Sequence, residues 1–147
     1  MKTLQELQVL ILQWAKEKDL LKFENAPKQR LKLLEEVGET AGAILKNKTD
    51  DIKDSIGDIF VVLVILSDQL SEEILYNTNR FAKDDDKDFV FLFDNILNSK
   101  RIYFSLAYLN DICRKLNLDL TECANLAWNE IKDRKGNTIN GVFIKNS

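Results

Sequence analysis

Two groups of acidic residues have the spacing that metal-assisted chemistry needs. The first is Glu35-Glu36-Val37-Gly38-Glu39. Residues three or four apart on a helix share a face, so Glu36 and Glu35 are both neighbours of Glu39. Like charges placed this way cost roughly a few tenths of a kcal/mol in an isolated helix, and a bound cation turns that repulsion into attraction. The second group is Asp54-Ser55-Ile56-Gly57-Asp58, where Asp51, Asp54 and Asp58 follow a three-then-four spacing and form one acidic stripe. Asp58 directly precedes Ile59 to Leu66, an unbroken apolar run. A charge at the edge of a buried run needs a partner. Carboxylates facing one another from two helices form an all-oxygen site suited to Mg²⁺, with Mn²⁺ as a substitute, whose remaining positions go to water and phosphate.

What the chain lacks points the same way. It has no histidine, which removes the commonest general base and the Ser-His and Cys-His nucleophile pairs. Its two cysteines, Cys113 and Cys123, cannot build a tetrahedral zinc site without other soft ligands and read as buried free thiols. Any catalysis must therefore come from carboxylates and a metal.

The elements that position these acids follow from periodicity. Leu4, Leu7, Leu10, Ile11, Trp14 and Ala15 predict a helix over residues 3–18. Asn25-Ala26-Pro27 reads as a capped helix start with proline in the first turn, opening a helix that fades near Asn47. Thr49-Asp50-Asp51 starts the next, running to about Leu70, with acids favourably placed against the helix dipole. The short link between them makes these two helices antiparallel neighbours. Ile59 to Leu66 is apolar on every side, so other helices or a second subunit must enclose it. Ser71-Glu72-Glu73 is expected to open a short helix. Thr78 to Asp88, with Asp84, Asp85, Asp86 and Asp88, reads as an exposed connection rather than a second metal site. Further helices are expected over Phe89–Leu97, Ile102–Leu116 and from Asp119 to a glycine cap at Gly136, followed by an extended tail.

The sequence thus predicts an all-α bundle of six or seven helices with a short extended C-terminal tail, forming a single domain over residues 1–147. Apolar residues make up 45% of the chain and charged residues 31%, which excludes a disordered chain. The apolar run is too short to span a bilayer, and Met1 to Leu20 reads as an amphipathic helix rather than a signal peptide, so a cytoplasmic location is expected. With 21 basic and 24 acidic side chains the net charge is −3, unfavourable for nucleic-acid binding.

The pairing of Glu-Glu-x-x-Glu with an acidic Gly-Asp motif entering an apolar helix resembles the MazG-like nucleotide pyrophosphohydrolases, which group with the dimeric dUTPases in the all-α NTP pyrophosphatase superfamily. The likeness runs from about Leu31 to Leu70. Ala127-Trp128-Asn129-Glu130-Ile131-Lys132-Asp133-Arg134-Lys135-Gly136 is similar to the closing motif of the phage and bacterial members. The resemblance implies cleavage of a nucleoside triphosphate between its α and β phosphates, with Glu36, Glu39 and Asp58 as metal ligands. A fourth ligand position is occupied here by Ser55, and the nearest acid, Asp54, is one residue earlier. That offset turns a side chain by about 100° on a helix, so Asp54 is expected to reach the metal through water or not at all.

On this reading Glu35 or Glu39 accepts the proton of the attacking water. Lys132, Arg134 and Lys135 either bind the departing pyrophosphate or complement the helix dipole. Trp14 is a candidate to stack on the base, or else core, and Asn129 a candidate hydrogen-bonding group. A homodimer or homotetramer is expected, because apolar runs of this kind are often buried across a subunit interface. The rival reading, favoured by Ser55, is a weakly active or inactive helical module that binds a nucleotide or protein partner.

Overall fold

The computed structural model describes residues 1–76 and 86–146. Six α-helices are found among them: α1 (Leu4–Glu17), α2 (Ala26–Leu45), α3 (Thr49–Gln69), α4 (Phe89–Asn98), α5 (Ile102–Lys115) and α6 (Leu120–Ile131). A 3₁₀ turn, Phe23–Asn25, leads into α2. The expected all-α bundle is therefore the observed one, and no described helix is long and apolar enough to cross a membrane.

Local chemistry accounts for the helix starts. Thr3 and Glu6 form a reciprocal capping box on α1. Asp88 and Asp119 each accept a backbone N–H in the first turn of α4 and α6. Asn25 does not cap α2; its amide donates instead to the Leu20 carbonyl. Pro27 stands in the first turn, where a missing N–H costs nothing.

The helix ends are less conventional. Asp19, Asn47, Ser71 and Asn117 have φ between 55° and 58° and follow α1, α2, α3 and α5. In each case the next residue donates to a carbonyl five residues back, as in Leu20→Ala15, Lys48→Ala43, Glu72→Ser67 and Leu118→Cys113. These are Schellman terminations built without glycine. They also explain why Ser71-Glu72-Glu73 does not open a helix. Ser71 closes α3, and the Glu72 carboxylate accepts the Ile102 N–H at 2.8 Å, filling an orphan donor at the start of α5.

α3 is the axis. Ile59 through Leu66 are all buried by this chain alone, with α1, α2, α5 and α6 packed around the helix. No partner subunit is needed to cover the run, so the expectation of oligomerisation loses that support. Cys113 and Cys123 are buried free thiols, as expected. Two helices pack backbone to backbone at Gly57, where an added Cβ would lie 2.2 Å from the Cys123 carbonyl oxygen and 2.8 Å from the Ala127 Cβ. α6 therefore presses against the α3 backbone one residue before Asp58.

The tail is not simply extended. β1 (Gly136–Ile139) and β2 (Val142–Lys145) pair antiparallel, with Gly136 opposite Lys145 and Ile139 opposite Val142. Asn140 and Gly141 both have positive φ, the geometry of a tight two-residue hairpin turn. Gly136 is thus a strand residue that permits close approach to Ile144, not a helix cap. The hairpin folds back on α1: Phe143 meets Trp14 edge-on at 5.0 Å, and the Thr138 hydroxyl donates to the Lys18 carbonyl. Asp84 and Asp85 lie outside the described residues, Asp86 is exposed, and Asp88 is the α4 cap.

Replacing Gly57 with alanine should force α6 away from α3 and cost about 1–3 kcal/mol, the usual penalty of overpacking. A lower urea midpoint with an unchanged slope is the expected result; an unchanged midpoint would contradict the close contact.

Candidate active site

α2 buries Gln29, Leu33, Glu36, Val37, Thr40 and Ala43 along one stripe. Glu36 is thus an acid on the inward face, 5% exposed, whereas Glu35 and Glu39 face outward. Its Oε1 lies 3.3 Å from the Lys32 ammonium, and its Oε2 is buried with no hydrogen-bond partner. Burial first, and then the charge of Asp58, raise the Glu36 carboxyl to about 7 against the opposing pull of Lys32. Asp58, half-buried on α3, is raised to about 6 by burial and then by Glu130, although Arg134 pulls the other way. Asp54 is raised by burial and then by the same Glu130. These acids are held together with too little positive charge to compensate them.

Two cavities meet here. An acidic cleft of about 680 Å³ is lined by Glu35, Glu39, Asp51, Asp54, Ser55, Asp58 and Glu130. Gly38 and Gly42 lie on its α2 wall, and a Cβ added to either would meet nothing within 4 Å, so glycine keeps this wall open. The second cavity, about 710 Å³, has apolar walls from Trp14, Val61, Val62, Ile65 and Phe143 and a basic rim that includes Lys28, Lys32, Arg134 and Lys145. Glu35 and Asp58 line both, and Glu36 lines the apolar one. The juncture is therefore a carboxylate wall between a negative cleft and an apolar chamber edged with cations. A polyanion carrying a flat apolar ring matches that second chamber, with a hard cation on the acidic side.

Of the proposed ligands, Asp58 lines both cavities, as does Glu35, whereas Glu39 and Asp54 line only the acidic cleft and Glu36 only the apolar chamber. Trp14 and Arg134 line the apolar cavity, whereas Asn129, Lys132 and Lys135 are exposed and line neither. Convergence is looser than the spacing suggested. Among the described residues, no three His, Cys, Asp or Glu side chains stand close enough to hold a metal ion as they are. The donor set nonetheless fits a hard cation: it is all oxygen, and Glu36 Oε2 is a buried acceptor without a donor.

Reasoning from the sequence missed Glu130, Lys28, Lys32, Phe143 and Lys145. Cys123, Ala127 and Glu130 share a helical stripe, the signal for the first. Asn140-Gly141 between apolar-rich segments is a hairpin signal that would have found Phe143 and Lys145.

Comparison with known proteins adds the remaining observation. A family model described as the MazG nucleotide pyrophosphohydrolase domain matches residues 9–83, just over half the chain. An uncharacterized 18.2 kDa protein from the rep-hol intergenic region of Haemophilus phage HP1 (strain HP1c1) is 51% identical over 69 residues. That alignment covers 47% of this chain and 42% of the phage protein, under half of each. No solved structure matches with significance. The family match contains both acidic motifs but stops before the segment from Ala127 to Gly136. Members of this family are typically nucleotide hydrolases and generally depend on a divalent metal. By its helical fold and by the match across both acidic motifs, this chain belongs to the MazG nucleotide pyrophosphohydrolase domain family.

Proposed function

We propose that the chain is a Mg²⁺-dependent pyrophosphohydrolase converting a ribo- or deoxyribonucleoside triphosphate to the monophosphate and pyrophosphate. The observation that carries this reading is the buried, donorless oxygen of Glu36 beside Asp58, at the meeting of an acidic cleft and an apolar chamber with a basic rim. Glu36, Glu39 and Asp58 hold the cation, with Asp54 outside them. When bound, Mg²⁺ supplies neutralising charge to the phosphates and a more acidic water. Glu35, or Glu39 where it is free, accepts the proton of the water whose oxygen attacks the α-phosphorus. The bond from that phosphorus to the bridging oxygen breaks, and pyrophosphate leaves with the bonding electrons. Arg134, Lys28 and Lys145 bind the phosphate chain, while Trp14 and Phe143 wall the base. Lys132, Lys135 and Asn129 have no part in this arrangement.

The same reading places the enzyme in the cytoplasm as one domain acting on free nucleotides, without nucleic acid or membrane as a partner. A homodimer or homotetramer is proposed on the exposure of Leu31 and Leu34, 59% and 52%, at the edge of the apolar chamber. The second reading, a weakly active or inactive binding module, draws on Ser55 and on the loose spacing of the acids.

Pyrophosphate release across the common NTPs and dNTPs with Mg²⁺ separates the two. Glu36→Gln or Glu39→Gln should lower turnover by about 10²–10³-fold, the scale for losing one preorganised electrostatic group. Nucleotide-induced thermal stabilisation without product would favour the binding module. Turnover surviving both substitutions would reject the site.

A pH dependence follows from Glu36 and Asp58. Their carboxyls are raised from 4.5 and 3.8 in the unfolded chain to about 7 and about 6. The metal-free folded state therefore binds more protons than the unfolded chain over this interval, so this contribution to stability is full at low pH and lost as pH rises through the folded values. Metal-free protein should melt at a higher temperature near about pH 5 than near about pH 7.5. Glu36→Gln should flatten that slope, and Mg²⁺ should offset it by favouring the ionised acids. A wild-type slope untouched by the substitution would count against the buried acid.

A further inference from the structure

Ser55 leaves α3 one carboxylate short, and the substitute need not come from α3. Asp54 is offset by one residue around the helix. Ser55 itself is buried, and it lines the same cleft as Glu130 of α6. The contact at Gly57 accounts for that proximity. Without a Cβ on residue 57, the Cys123 carbonyl and the Ala127 side chain rest almost on the α3 backbone. Glu130, three residues beyond Ala127, emerges on that same face of α6. It is therefore delivered to the stripe formed by Asp54 and Asp58. All three acids, Asp54, Asp58 and Glu130, line one cleft together with Ser55.

Its present partner does not fix it there. Arg134, four residues on, lies 3.1 Å from Oε1 of Glu130, and the Glu130 side chain is 53% exposed. Exposed pairs of this kind contribute little, so a divalent cation can outcompete the guanidinium for the carboxylate. Glu36 supplies an independent sign of an expected cation: it is nine-tenths buried with one oxygen unpartnered, and it lines the neighbouring chamber, whose wall shares Asp58 with the cleft of Glu130.

We propose that Glu130 supplies from α6 the carboxylate that Ser55 lacks on α3, joining Glu36, Glu39 and Asp58 around the divalent cation. This rests on the metal-dependent reading above. It also gives the ion pair a second consequence. A Glu130 turned to the cation releases Arg134, which lines the apolar chamber and is then free for an anion. Cation loading and phosphate binding are coupled through one exchangeable pair.

The test is Mn²⁺ binding without nucleotide, followed by electron paramagnetic resonance and calorimetry. Circular dichroism and melting in chelator would establish that each variant is folded. Glu130→Gln should weaken Mn²⁺ binding by about tenfold or more, the low end for losing a group that supports a metal. Arg134→Gln breaks the same ion pair but keeps the carboxylate, and should bind Mn²⁺ at least as tightly as wild type. Equal losses in the two variants would make Glu130 a structural partner of Arg134 and overturn the proposal. Wild-type affinity in Glu130→Gln alongside lost affinity in Glu36→Gln would also overturn it, while leaving the acid site intact. Unchanged affinity in Glu36→Gln and Asp58→Asn would instead remove the site, and this proposal with it.

Discussion

The cost of burying the Glu36 carboxylate is the constraint around which the rest is arranged. An ionised acid with an unpaired oxygen is unstable at the margin of a hydrocarbon core. Lys32 offsets part of that cost from one turn away, but Asp58 on the facing helix adds to it. The fold keeps both acids because α2 and α3 are locked as a hairpin by the Schellman turn at Asn47 and by the apolar faces between them. Stability of the scaffold is spent on charge held where water would otherwise relax it.

Helix α3 divides along its length into two tasks. Its N-terminal half turns acids toward the cleft and Gly57 toward α6, while Ile59 to Ser67 in its C-terminal half are buried on every side. Gly57 and Asp58 mark the division. A side chain at 57 would hold α6 away, widening the cleft on the side where Glu130 stands, so a contact between backbones sets the distance between charges.

Much of this was legible in the sequence, for physical reasons. Helical periodicity gave α1 to α6, and the two acidic motifs stand on consecutive helices, α2 and α3, that one three-residue link (46–48) folds together. Helix ends were harder to read. Asp19, Asn47, Ser71 and Asn117 occupy positions where glycine is the usual signal, and Gly136, which carries that signal, is needed for strand contact instead. Enclosure of Ile59 to Leu66 was expected, but composition does not say whether the enclosing helices belong to one chain or two. Within the candidate site, Glu35, Glu36, Glu39 and Asp58 could be read from local spacing. Glu130 could not, because its position depends on packing across α3 and α6, far apart in sequence. The exposed Lys132 and Lys135 were weighed by charge alone, and charge does not give direction.

The hairpin from Gly136 to Lys145 lies beyond the segment that matches the family, yet Val142, Phe143 and Lys145 make up one side of the apolar chamber. The hairpin side of the chamber is thus separate in sequence from the helices that carry the acids. It meets the bundle through a ring contact to Trp14, a hydroxyl bond to the Lys18 carbonyl and the approach of its turn glycine, Gly141, to Asn25 and Lys28. Substitutions at Val142 or Lys145 would alter the chamber wall from outside the helical bundle, whereas a change at Phe143 would also reach Trp14 of α1.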